Sequence, residues 1–483
     1  MTMDSRTRWF ALYVLCLGDL MIVLDGTIVN VALPSIRDDL GFSQASLAWV
    51  VNAYLLTFGG FLLLGGRLGD LFGQRRLFLI GISLFTLASL GCGVANSQEL
   101  LVGARAVQGI GGAIVSAVAL SLLMTLFTEQ ADRAKAMGFF GFVLSGGGVI
   151  GVLAGGVLTD LLNWHWIFLV NLPVGVLVYA LSLRLLPTAQ AAPASRRVDV
   201  AGAITVTASL MLAVYAIVNG NEQGWTSTQT LGLLAVSAVL MATFLAIEGR
   251  ISFPLVPLGL FRNRNVSTAN IVGVLMAAGM FAYFFFSALY LQLVLGYSPL
   301  EVGLAYLPGT VVWGASSLLL SDKLVMRYGI KSPLLSGLSL MTLALVLLAR
   351  TPADGTWAVD ILPATLAVGL GAGIAFNPLL LAAMSGVAPE QAGLASGVVN
   401  TAFMMGGAVG LAILASLSAS RSDELVASGD GAAVALNGGY HAAFFVGAIF
   451  LVAAAVGAAL LRVESPPHPH GEAVGVPALA EAD

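Results

Sequence analysis

Long apolar runs alternate with short polar stretches from one end of this chain to the other. By hydropathy the runs lie near 9–33, 46–66, 77–96, 99–124, 136–160, 166–186, 200–219, 229–248, 267–294, 302–322, 332–349, 360–386, 392–418 and 440–462, about fourteen in all. Each is long enough for an α-helix to cross a hydrocarbon layer of about 30 Å. A bilayer offers no water to unpaired backbone groups, so spans of this kind must be helical. The pattern predicts an all-α polytopic membrane protein, and an even count puts both termini on one side. Arg6 and Arg8 precede the first run as they would in a signal peptide. That run is too long for one, however, carries two Asp and has no small-x-small cleavage site, so it reads as a retained span.

Composition agrees: of 483 residues 58% are hydrophobic and only 10% charged, where soluble proteins carry about 25% charged residues. Cys16 and Cys92 both fall in apolar runs, which argues against a disulfide framework. The basic residues are distributed unevenly. Arg6, Arg8, Arg67, Arg75, Arg76, Arg133, Lys135 and ten others fall on one face of the predicted topology, whereas Arg37, Arg350 and Arg421 fall on the opposite face. The positive-inside rule makes the crowded face, and both termini with it, cytoplasmic in a cell inner (plasma) membrane.

The chain also repeats itself. Arg67–Arg75 (RLGDLFGQR), before the third span, echoes Lys323–Lys331 (KLVMRYGIK), before the eleventh, and Gly81 and Gly337 follow at the same offset. Gly41-Phe42-Ser43 and Gly296-Tyr297-Ser298 precede the second and tenth spans. Two six-span bundles separated by two extra spans explain this spacing. They divide the chain into 1–188, a linker with the extra pair at 189–265, a second bundle at 266–465 and a polar, disordered tail at 466–483. Duplicated halves are a transporter arrangement, with the substrate site between them near the midplane.

The candidate chemistry is in the spans that carry polar groups. Asp19 and Asp25 lie in the first run, and Arg105 is the sole Arg or Lys inside a span. A charge at the bilayer centre costs roughly 2.5–3.5 kcal/mol on insertion scales, so such residues face a cavity, pair or exchange protons. Burial disfavours an ionised carboxylate and a nearby cation favours it; Asp25, held between these pulls, is the candidate proton carrier. Asp19 lies six residues earlier, about 120° around the helix, so the two acids do not form one shared site. Asp19 is a candidate for proton or substrate contact. The second half carries Gln292, Asn377 and Asn400 but no charge well inside its spans, and is rich in aromatics. Together with Asn30, Gln108, Tyr290, Phe403 and Met404, these three form the candidate substrate wall, apolar and adaptable.

Five motifs in order resemble the fourteen-span drug:proton antiporters of the major facilitator superfamily (EmrB/QacA type): LDGTIVNVALP at Leu24–Pro34, GRLGDLFGQRR at Gly66–Arg76, LVGARAVQG at Leu101–Gly109, GGVIGVLAGG at Gly147–Gly156 and WHWIFLVNLPVG at Trp164–Gly175. The resemblance covers nearly the whole chain. It implies that the first and fourth spans line one cavity, with Arg105 opposing Asp25. It also implies that Gly66, Asp70, Gly73, Arg75 and Arg76 form a gating loop, with Asp70 facing a helix N-terminus of the other half. Gly147, Gly151, Gly155 and Gly156 would form the antiporter-like fifth span. Gln74, Val152 and His165 depart from the family pattern, which usually has a basic residue, Pro and Arg there, and Phe403-Met404 replaces an Arg-Gln pair.

The reading is a proton-coupled efflux transporter of lipophilic drugs or secondary metabolites, cations among them, working by alternating access. Its partners are protons, substrate and the bilayer; it needs no nucleic acid, works as a monomer and is not an enzyme. No GxxxxGK[ST] loop is present for ATP, no metal site is expected, and the proton gradient takes the place of a cofactor. The alternatives are a proton-coupled importer or uniporter of a small metabolite, and a non-transporting membrane sensor.

Overall fold

The computed structural model describes residues 4–127, 129–187, 199–251, 254–387 and 389–462. The polar linker expected before the extra spans falls largely at 188–198, and the tail beyond Arg462 begins at 463; both lie outside the described residues, as does the Asp70 side chain.

The first bundle consists of α1 (Ser5–Leu40), α2 (Trp49–Phe72), α3 (Gln74–Gly93), α4 (Gln98–Leu126), α5 (Gln130–Leu161) and α6 (Asn171–Leu185), the last entered through the single turn Trp166–Leu169. Two further helices follow, α7 (Val200–Gln223) and α8 (Thr228–Glu248). The second bundle consists of α9 (Arg264–Leu289), α10 (Pro299–Ser316), α11 (Lys331–Leu348), α12 (Leu362–Met384), α13 (Pro389–Ala427) and α14 (Ala432–Ala459). Thirteen helices among the described residues are long and apolar enough to span a membrane, and α5 supplies a further apolar stretch at Gly146–Leu161. Together they are consistent with about fourteen spans among the described residues.

Helix ends follow local chemistry. Ser97 caps α4 by accepting from Leu100 N–H, and Ser298 with Glu301 forms a reciprocal capping box at α10. Between α2 and α3 a single residue, Gly73, makes the turn at φ 91°, a conformation that a side chain disfavours.

Within a bilayer, helix packing depends on close backbone approach rather than on hydrophobic burial. Small residues provide it here. Gly309 of α10 packs on Gly369 of α12, and Gly337 of α11 packs on Gly371 of α12. On α5, Gly147 meets Leu20 and Val23, Gly151 meets Leu24 and Thr27, and Gly155 meets Ile28 of α1. A Cβ at Gly155 would lie 2.7 Å from the Ile28 carbonyl oxygen, which belongs to backbone and cannot rotate away. Gly155→Val will therefore destabilise the fold by at least the roughly 1–3 kcal/mol typical of overpacking. Thermal unfolding of the purified protein checks this against Gly26→Ala, where a Cβ meets nothing within 4 Å. Val152, where the family motif has Pro, is buried in an uninterrupted α5.

The two bundles meet along α2–α13 and α5–α10. Gly59 of α2 packs on Thr401, Met404 and Met405, and Gly156 of α5 packs on Pro299 and Leu300. At the end away from the arginine-rich loops, Gln44 Nε2 donates to Ser418 Oγ at 3.1 Å and Gln292 Nε2 to the Val31 carbonyl at 2.9 Å. The inserted helix α7 lies across the α2–α13 seam, with Thr207 against Gly60 and Val206 beside Met405. Ser209 and Ser237 donate to one another's carbonyls at 2.8 Å to bind α7 to α8, and Leu231, Val236 and Val239 of α8 are exposed, as lipid contact requires.

Candidate functional site

Asp25 lies midway along α1 with no exposed surface, and its carboxylate is enclosed by donors. Arg105 Nη1 forms an ion pair with Oδ2. Gln108 Nε2 and Asn171 Nδ2 donate to Oδ1 at 2.7 and 3.0 Å. Arg105 and Gln108 are three residues apart on α4 and so share a face. Because a guanidinium only donates, Gln108 turns its oxygen to it: Arg105 Nη1 donates to Gln108 Oε1 at 2.7 Å. Arg105 Nε donates to the Val50 carbonyl at 2.9 Å, and the guanidinium lies over the Tyr54 ring, 4.3 Å from its centroid. Ser89 of α3 completes the network by accepting from Gln108 Nε2 at 2.8 Å.

Five helices thus converge on one buried ion pair. Its ionised form is fully satisfied. A proton on Asp25 would cancel the charge facing Arg105 and add a hydrogen among groups that are themselves donating, so protonation weakens the ion pair. Removing one partner of a buried pair costs about 3–5 kcal/mol.

Asp19 lies apart. Its Oδ1 accepts from Ser116 Oγ of α4, and its Oδ2 is buried without a partner. Asn52 of α2 is fully buried with both amide atoms unpartnered.

The model of the Major Facilitator Superfamily matches residues 15–411. The chain belongs to that superfamily. Curated relatives of this facilitator include the puromycin resistance protein pur8 of Streptomyces alboniger, 39% identical over 93% of this chain and 90% of the relative. The cephamycin export protein CmcT of Amycolatopsis lactamdurans is 36% identical over 94% and 93%. The multidrug resistance protein Stp of Mycobacterium tuberculosis is 36% identical over 86% and 76%. Among solved structures, an autoinhibited POT family peptide transporter superposes with a TM-score of 0.67 at 15% identity, covering 96% of this chain and 99% of that one. A bacterial homologue of the lysosomal transporter Spinster, inward-facing and unoccupied, gives 0.65 at 17%, covering 94% and 97%. These structures show the fold alone.

In this facilitator the loop between α2 and α3 is tied to its own bundle. Gly66 faces Ala117 of α4, Gly73 makes the turn, Arg75 Nη2 donates to the Leu183 carbonyl of α6, and Arg76 is exposed. Gln74, where the family usually has a basic residue, accepts from Thr125 Oγ1 of α4 at 3.3 Å.

The candidate wall residues are dispersed. Phe403 is buried between Phe281 and Phe376, with Met404 beside Gly59. Asn377 and Asn400 are half-buried. Asn30 donates back to the Gly26 and Thr27 carbonyls of its own helix, and Tyr290 Oη donates to the Pro352 carbonyl at 2.7 Å. Gln108, grouped with the wall by sequence, is a ligand of the ion pair, and Gln292 reaches across to α1. Asn171 and Ser89 were not singled out by sequence. Asn171 lies in the WHWIFLVNLPVG motif and was its one buried amide; Ser89 carries no signal.

Proposed function

We propose that this facilitator exports lipophilic small molecules, antibiotics or secondary metabolites of the kind its relatives are named for, in exchange for protons. The observation that carries this reading is the buried Asp25–Arg105 pair with its closed shell of Gln108, Asn171 and Ser89. Proton uptake at Asp25 frees Arg105 and its ligands, which loosens α1 against α4 and couples protonation to rocking of the two bundles. Release of the proton reseals the pair. The loop at Asp70 acts as the gate, and the aromatic wall about Phe403 receives substrate. The transporter works as a monomer in the plasma membrane with both termini in the cytoplasm, and the proton gradient drives it without a cofactor. The divisions at 188, 265 and 465 mark its functional parts.

The test is transport of a fluorescent lipophilic cation by the purified protein in proteoliposomes with an imposed proton gradient. Movement of dye against its own gradient, abolished when the proton gradient is collapsed, is the expected result. Dye movement indifferent to the proton gradient would overturn the coupling, and no movement of any lipophilic probe would overturn the substrate class.

A further inference from the structure

A second pair of buried acids lies at the arginine-rich end of the insert, away from Asp25. Asp199 caps α7, its Oδ1 accepting from Gly202 N–H at 2.7 Å. Glu248 ends α8, its Oε2 accepting from Val256 N–H at 3.0 Å. Both residues are 3% exposed, and each leaves its remaining oxygen, Asp199 Oδ2 and Glu248 Oε1, buried with no hydrogen-bond partner. Those two oxygens converge on one point: a Cβ added at Gly202 would press on Asp199 Oδ2 and lie 3.0 Å from Glu248 Oε1. An ionised carboxylate only accepts, so two of them facing each other here have nothing to share. Two like charges at close quarters in a buried site do not both ionise. Of the basic groups at this end, Arg67 of α2 and Arg250 after α8 are exposed, and the ion pairs among the described residues involve neither; Arg196 and Arg197, just before Asp199, lie outside the described residues.

We propose that Asp199 and Glu248 hold one proton between them, as an acid donating to a carboxylate, and that this proton latches the insert onto the seam between the bundles. The hydrogen bond joins the start of α7 to the end of α8 and to the segment at Val256. That segment and α7 dock together on α2, where Leu255 and Ala203 bury against Leu64. The latch is independent of Asp25 and does not rest on the export reading.

Backbone donors hold one oxygen of each acid, so an amide substituted at either position must turn its nitrogen to the other. Asp199→Asn or Glu248→Gln alone then supplies the bridging hydrogen permanently. Both together set two NH2 groups face to face. The experiment is thermal unfolding of the purified full-length protein and these three variants over a pH series. The wild-type latch is intact at low pH and is lost as pH rises above the range where free carboxyls ionise, because the folded state then holds a proton that the unfolded chain does not. Each single variant is expected to match the wild type at low pH and to surpass it as pH rises. The double variant falls by about 2–4 °C at every pH, as two buried unsatisfied donors require. Singles that unfold earlier than wild type at all pH values, or a double variant as stable as the singles, would overturn the proposal. So would recovery of the wild type at high pH on adding magnesium or calcium, since the pair would then be holding a metal ion.

Discussion

Asp25→Asn will reduce gradient-driven efflux to the level of empty vesicles. The carboxylate is ringed by Arg105 Nη1, Gln108 Nε2 and Asn171 Nδ2, all donating. An Asn there has one acceptor oxygen and an NH2, and whichever way it turns the NH2 meets a donor. Gln108 cannot flip to help, because its own oxygen already accepts from Arg105. Arg105 is left as a buried charge without a counterion, at a cost of about 3–5 kcal/mol. The variant should therefore unfold at a lower temperature as well as lose coupling, with dye running down its own gradient. Parallel measurements on Asp19→Asn separate the two acids, since Asp19 meets only Ser116 and has no cation beside it. Pumping by Asp25→Asn at the wild-type rate would refute Asp25 as the carrier.

The second large effect belongs to Arg105→Lys, a change that conserves charge. Arginine is used here in three ways: Nε holds the Val50 carbonyl, Nη1 serves Asp25 and Gln108 together, and the flat guanidinium covers Tyr54. A lysine ammonium is a single point of charge on a flexible stem and cannot reproduce that fork or the stacking. Loss of even one charge-assisted hydrogen bond, worth about 1.5–3 kcal/mol, translates to at least about tenfold in a rate or equilibrium that depends on it. Efflux in proteoliposomes should fall by that factor or more. Thermal stability should fall less than in Asp25→Asn, because Asp25 keeps a counterion. Equal transport by Lys and Arg would mean that charge alone is needed at this position.

Charge in an apolar run is visible in sequence, because its desolvation cost is large and has few remedies. Asp25 and Arg105 stand out on that ground, while their pairing rests on the resemblance to the drug:proton antiporters, and the roughly fourteen spans follow from run length. The neutral ligands are a different matter. An Asn or Ser in a helix faces a network or a lipid with the same local pattern, so Asn171 and Ser89 were hidden until α3 and α6 were brought beside α1. Gln108 shows the same difficulty: its spacing from Arg105 was legible, but which polar group it would turn toward was not. Tyr290 binds a loop carbonyl 62 residues on, a contact no periodicity encodes. Asp199 and Glu248 lay at span ends, where an acid ordinarily faces water, and only the docking of the insert on α2 buries them.

The glycines of α5 bear on speed. Helices that interlock through side chains have preferred registers, because ridges sit in grooves and must climb out to shift. Where α5 meets α10 the surfaces are nearly smooth: Gly156 lies on Pro299 and Leu300, and Gly303 lies on the Val152 carbonyl. Glycine has no rotamer to change, so sliding of one helix past the other requires no repacking at these points. The contact is expected to act as a plain bearing, read as a shallow temperature dependence of turnover. A bulkier residue at Gly303 would turn it into a ratchet, and turnover would become steeply temperature-dependent even where substrate still binds.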